Sequence, residues 1–162
     1  MNQAEYFTSR GFPPLEWEVI EVPNAAYQEV FTVKANDFVS AGEASSQIKK
    51  TLKQLGVTGD VLRRIAVASY EAEINLVIHT LGGQLHFEVS PPYVTIISKD
   101  VGPGIADVSL AMQEGYSTAN EDVRMMGFGA GMGLPNMRRC ADEFDIQSTV
   151  GKGTSVTMRF KV

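Results

Sequence analysis

Glu71 and Asn75 stand one helical turn apart in a segment, residues 58–80, whose other directions are mostly apolar. A carboxylate and a carboxamide at that spacing set their polar groups side by side on one helix face. At about 100° per residue, Arg64, Ala68, Glu71, Asn75 and His79 fall on one narrow stripe. Leu62, Ile65, Val67, Tyr70, Ile74, Leu76, Val77 and Ile78 fill most of the rest, so the helix is expected to be largely buried. Buried, the two polar groups need partners, which water and a metal ion held by a ligand supply. A solvated helix face with polar pairs one turn apart explains the stripe equally well.

Three further groups of residues bear on chemistry. Asp100, Gly102 and Gly104, around Pro103, follow directly on an alternating run. Two glycines let the backbone come close to a flat ligand, and a carboxylate there can accept from an exocyclic amine; a plain turn after a strand is the commoner cause of such a string. Gly127, Gly129, Gly131 and Gly133 alternate just before Leu134 and Pro135, and interleave with Phe128 and Met132. Free backbone N–H groups at a helix start suit a triphosphate, whereas a flexible linker seldom carries such large apolar residues. Neither the P-loop string nor the dinucleotide-binding fingerprint is present. Gly151, Gly153 and Thr154 complete the set, and alone they say no more than hairpin.

The elements that must position these residues follow from pattern. Residues 29–33 have strand composition, and Asp37 precedes a helical stretch expected over 38–55, ended by Gly56. The long helix over 58–80 is closed by Gly82 and Gly83. Runs 84–89 and 93–98, joined around Pro91 and Pro92, predict an antiparallel hairpin. Residues 100–133 read as a long functional loop with one helical piece near 108–113. A helix over 134–143 and strands over 144–150 and 154–161 finish the chain. The expected fold is α+β, a two-layer sandwich of a mostly antiparallel sheet with helices on one face. Residues 1–28, broken by Pro13, Pro14 and Pro23, read as an N-terminal arm; within it, 17–22 alternates like a half-exposed strand that would cap a sheet edge or exchange between the subunits of a homodimer.

The bulk properties narrow the function class. With 162 residues, 44% hydrophobic and 20% charged, one core and one domain are expected. Net charge is -5, and the basic residues are scattered in twos and threes among acids, which argues against nucleic acid as a direct partner. A single cysteine, Cys140, rules out an internal disulfide framework and reads as a small apolar residue in a helix. The start lacks an apolar leader, and no apolar stretch approaches the roughly 18 residues that span a bilayer, so a soluble cytoplasmic protein is expected.

Taken in order, the Glu-x-x-x-Asn helix, the Asp-x-Gly-x-Gly turn, the glycine-rich helix start and the Gly-x-Gly-Thr hairpin resemble the N, G1, G2 and G3 boxes of the GHKL ATPase family, over about residues 29–162. Within it, residues 71–79 (EAEINLVIH), 114–118 (EGYST), 129–135 (GAGMGLP) and 142–144 (DEF) look most like the anti-sigma and switch-protein serine kinases. Full histidine kinases also carry a phosphoacceptor helix domain, for which a 28-residue arm is too short.

The resemblance implies a Bergerat fold and a set of roles. Asn75 would ligate Mg²⁺, Asp100 read the adenine amino group, Gly102 and Gly104 shape the base pocket, and Thr154 support the adenine. His79, Gly127, Gly129, Gly131, Met132, Gly133 and Leu134 would line the ATP site, and residues 105–133 would be an ATP lid whose Arg124 reaches the terminal phosphates. Glu71 matches the general base acting on an acceptor hydroxyl. The activity implied is a serine/threonine protein kinase acting on an anti-anti-sigma (STAS-type) protein. The alternative is a nucleotide-gated binding protein that sequesters a sigma factor or other partner without catalysis.

Overall fold

The computed structural model describes residues 26–127, 129 and 131–162. Strand β1 (Tyr27–Val33) is followed by helices α1 (Glu43–Gln54) and α2 (Gly59–His79) and by the hairpin β2 (Gly83–Ser90) and β3 (Tyr93–Asp100). Two short helices, α3 (Val108–Ala111) and α4 (Glu121–Met125), lie in the glycine-rich stretch, and α5 (Gly133–Cys140), β4 (Glu143–Thr149) and β5 (Gly153–Lys161) complete the chain. The sheet runs β1-β2-β3-β5-β4, every neighbouring pair antiparallel. The α+β sandwich expected from the sequence is what forms.

Strict alternation decides which sheet face is covered. Leu85, Phe87 and Val89 of β2, Val94 and Ile96 of β3, and Val156, Met158 and Phe160 of β5 point to one side. There they meet Ile48 and Leu52 of α1, Ile65, Ala68 and Ala72 of α2, and Met137 of α5 in one buried cluster. The opposite face keeps a mixed row, with Val30, His86, Ile97, Thr157 and Asp145 in register from edge to edge. All three long helices therefore lie on one side. The expected strand over 17–22 lies outside the described residues.

Several boundaries differ from the sequence reading, each for a local reason. The first strand begins at Tyr27, two residues early, because its pairing with β2 runs out to Val89. Helix α1 starts at Glu43 and not at residue 38: the Asp37 carboxylate accepts from the Ser40 N–H, capping a turn, and Gly42 then takes a left-handed φ of 99° that redirects the chain. The last helix stops at Cys140 because Ala141 is extended and Glu143 is already paired with Arg159. A second lid helix, α4, was missed; Asn120 caps it by accepting from the Val123 N–H at 2.9 Å, as Asp107 caps α3.

The start of α1 is held by a group on the far side of the helix pair. Glu73, buried in α2, accepts from the N–H groups of Gly42, Ala44 and Ser45 at 3.0, 3.1 and 2.9 Å. One carboxylate thus satisfies three donors at a helix N-terminus, where negative charge is also favoured by the helix dipole. Glu73→Ala is expected to lower stability by about 3 kcal/mol, the cost of stranding buried donors, with Glu73→Gln between the two. Urea unfolding of the three proteins measures it; an alanine variant as stable as the parent contradicts this role.

Candidate functional site

The polar stripe of α2 is placed against the start of α5. Glu71 Oε1 accepts from Asn136 Nδ2 at 3.1 Å. Gly133 packs so closely on the stripe that a Cβ there would sit 3.1 Å from Asn75 Oδ1 and 3.4 Å from Glu71 Oε2. Glycine is thus the residue that lets the α5 backbone approach both side chains. No side chain caps the N-terminus of α5, whose first turn also contains Pro135, so its leading N–H groups face outward from the helix. Met132 is its N-cap, and Leu134 packs on the main core.

A chain of polar contacts runs from this point into the lid. Arg139 donates to the Asn136 Oδ1 at 2.6 Å and forms an ion pair with Glu114, and Asn136 in turn donates to Glu71. Asn136, Arg139 and Glu114 were not singled out from the sequence as site residues. The available signal was the position of Asn136 immediately after Pro135, on the helix turn that the glycines open.

Farther along α2, the C-terminal end meets the turn after β3. The Leu81 N–H donates to Val101 O at 2.8 Å and the Val101 N–H donates to Gly82 O at 3.1 Å, which clips the end of α2 to the segment leaving β3. A Cβ on Gly102 would touch Thr80 Cα at 3.3 Å and Asp100 Oδ1 at 3.5 Å. Gly104, at φ 70°, lies so close to the β4–β5 turn that a Cβ would overlap the Thr149 carbonyl. The same turn is tied down by Gly102 N to Lys152 O and Gly151 N to Pro103 O.

Asp100 sits in the centre of this arrangement. Its Oδ1 accepts from the Thr154 N–H at 3.1 Å, and the Thr154 hydroxyl is bonded to Ser148 Oγ at 2.8 Å, which also takes the Ile105 N–H. Burial pushes the Asp100 carboxyl up to about 6, against the opposing bond from Thr154. A carboxylate held in that state gains from any donor that reaches it. His79 carries a ring nitrogen 3.2 Å from Thr118 Oγ1 of the lid, and burial holds its pKa below the ordinary histidine value, favouring the neutral ring.

The lid glycines serve its folding. Gly115 N donates to Gly131 O at 2.9 Å, and a Cβ on Gly131 would overlap the backbone of Gly115 and Tyr116. Gly129 presses on Ala119 in the same way, whereas a Cβ on Gly127 would meet open space. Arg124 is exposed and donates to Ser117 O within the lid at 3.1 Å. So Glu71, Asn75 and Gly133 are brought together, as are Asp100, Gly102 and Thr154, and His79 is joined to the lid. Arg124 is bonded to Ser117, next to the Thr118 that meets His79, and a Cβ on Gly127 would touch none of these groups. Among the described residues no three or more His, Cys, Asp or Glu side chains cluster as a metal cage, and no helix is long and apolar enough to cross a membrane.

Comparison with known proteins gives this geometry a context. Residues 60–162 match the family model described as histidine kinase-, DNA gyrase B-, and HSP90-like ATPase. The chain is 32% identical over 124 residues to the serine/threonine-protein kinase RsbT of Bacillus subtilis (strain 168), covering 74% of this chain and 85% of that protein. It is 36% identical over 110 residues to an anti-sigma F factor of Thermoanaerobacter sp. (strain X514), covering 65% and 73%. It is 32% identical over 133 residues to the anti-sigma F factor of Pasteuria penetrans, covering 75% and 85%. The chain belongs to the histidine kinase-, DNA gyrase B-, and HSP90-like (GHKL) ATPase family.

Proposed function

We propose that the chain is an ATP-dependent serine/threonine protein kinase of the anti-sigma regulatory type, which phosphorylates a STAS-like antagonist protein in a partner switch. One observation carries the reading: the Glu71 carboxylate lies beside Asn75, its Oε1 held by Asn136 while Oε2 faces Gly133 at the uncapped start of α5. A nucleotide sensor needs the metal ligand and the anion site; a carboxylate fixed next to them suits proton abstraction.

The roles follow the geometry. Asp100 accepts the adenine amine, with Gly102 and Gly104 leaving room for the base and Thr154 buttressing it. Backbone N–H groups of Gly127, Gly129, Gly131, Met132, Gly133 and Leu134 receive the triphosphate, and Arg124 reaches its terminal oxygens when the lid folds over. Asn75 supplies a hard oxygen of the kind Mg²⁺ takes, one protein ligand being usual when phosphates complete the shell. The ion, when bound, neutralises charge on the phosphate oxygens. Glu71 takes the proton of the acceptor hydroxyl as its oxygen accepts the phosphoryl group and ADP leaves.

A second reading is favoured by the relatives named as anti-sigma F factors: a nucleotide-gated protein that sequesters a sigma factor. The two share the nucleotide site and part at Glu71. In either case a homodimer is the assembly proposed, with residues 1–28 as an arm outside the ATP-binding domain at 29–162.

The nucleotide site is tested through Asp100. Micromolar, Mg²⁺-dependent ATP binding is expected, weakened by about 1–3 kcal/mol in Asp100→Asn. The sign of the pH effect follows from a carboxyl raised to about 6: it must ionise to serve the amine, so affinity falls as pH drops through that value. Binding near pH 6 should also release a proton that Asp100→Asn does not release. Calorimetry in two buffers measures both, the variant subtracting protons lost by the nucleotide itself. No binding by the parent protein in the presence of Mg²⁺ would refute the site.

A further inference from the structure

Between α1 and α2, on the side of Glu71 away from the adenine turn, lies an open groove of about 600 Å³. Lys49 and Lys53 stand on its α1 wall, one turn apart, and Leu62, Arg63, Val67 and Glu71 on its α2 wall. Both lysines are exposed, and among the described residues neither has a carboxylate partner. Among the described residues Arg63 is paired with Asp60 alone, and both of those side chains are themselves exposed. Tyr70, 41% exposed, adds an apolar ring at the same end as Glu71.

The charge is unusual for its setting. The chain carries -5 overall, yet among the described residues this groove is lined by three cations, one of them paired with Asp60, against the single carboxylate of Glu71. From Gly59 to Glu71 the α2 wall is about 18 Å long by the helical rise, room for about five extended residues. We propose that this groove binds an acidic, part-apolar segment of the acceptor protein, its carboxylates set on Lys49, Lys53 and Arg63 and its serine or threonine delivered to Glu71. Charge complementarity and continuity with Glu71 select that occupant. The inference rests on the kinase reading above, to which it adds the chemistry of the substrate.

The direction of approach gives the proposal its mechanical sense. Glu71 touches α5 through Asn136 on one side and lines the groove on the other, so a hydroxyl arriving from the groove meets the carboxylate without crossing the nucleotide turn. Exposed charge pairs contribute little singly, so the groove is expected to act through several at once and through the rate of encounter.

The test uses the full chain and two fluorescent peptides, DLELSLDE and its basic counterpart KLKLSLKK, read by fluorescence anisotropy with and without Mg²⁺ and labelled ATP. The parent protein should bind the acidic peptide at least about tenfold more tightly, with affinity falling as salt rises, and the double variant K49E/K53E should reverse that order while its ATP affinity stays unchanged. Equal affinity for the two peptides, or a variant that keeps the parent's preference, overturns the groove. Self-association of the parent that K49E/K53E abolishes, without peptide binding, puts a second copy in the groove and overturns it also. Charge-dependent binding with no phosphate on the serine sinks the kinase reading and leaves the groove standing; phosphorylation indifferent to the lysines does the reverse.

Discussion

Glu71→Ala is expected to bind ATP within a few fold of the parent protein and to phosphorylate its partner at least about 100-fold more slowly, the lower end of what a general base contributes. The separation follows from position. Glu71 borders the groove between α1 and α2 and contacts α5 through Asn136, whereas Asp100 and Thr154 are joined to each other at the far end of α2. Glu71→Gln keeps the shape and the bond to Asn136 but cannot take a proton, so it should fail as badly in single-turnover transfer. A glutamine variant at the parent rate would reduce Glu71 to a packing residue.

Asn75→Ala should fail earlier. Its Oδ1 would be 3.1 Å from a Cβ on Gly133, which sets it against the backbone proposed to receive the phosphates. Loss of that oxygen removes the protein's own metal ligand, so Mg²⁺-dependent ATP affinity and transfer should fall together, each by about tenfold or more. Without Mg²⁺, parent and variant should bind nucleotide alike. Titrations with and without the ion distinguish a lost ligand from a damaged fold; an equal loss in both would contradict the assignment.

The parts of the site that were legible in the sequence are those whose chemistry lies in residue type and short spacing. Glu71, Asn75 and His79 share a face because a helix repeats every 3.6 residues. Gly104 and Gly131 reflect real close approaches, to Thr149 and to Gly115, that any side chain would block. The parts that were not legible depend on long-range partners. Glu73 lies in the same helix and reads as one more polar residue, yet its carboxylate fixes the start of α1 some thirty positions upstream. Asn136 is 65 residues from the carboxylate it holds.

The same distinction explains the fold. Alternation made β2, β3 and β5 plain, and the α+β class followed. The order β1-β2-β3-β5-β4 places the last strand of the chain inside the sheet, between β3 and β4, and no local signal announces that. Helix α1 began late because Gly42 and Glu73 together outcompete the cap that Asp37 seemed to offer; local preference set a turn, and tertiary bonding set the helix.

The most direct measurement is transfer of labelled phosphate. The full chain, Mg²⁺ and ATP labelled in the terminal phosphate are incubated with the proteins encoded nearby, and the acid stability of any protein-bound label is followed. Acid-stable phosphate is expected on a serine or threonine of the partner, present with the parent protein and lost with Glu71→Gln. Nucleotide-dependent binding of a partner with no label transferred, or label on an acid-labile site, would contradict it.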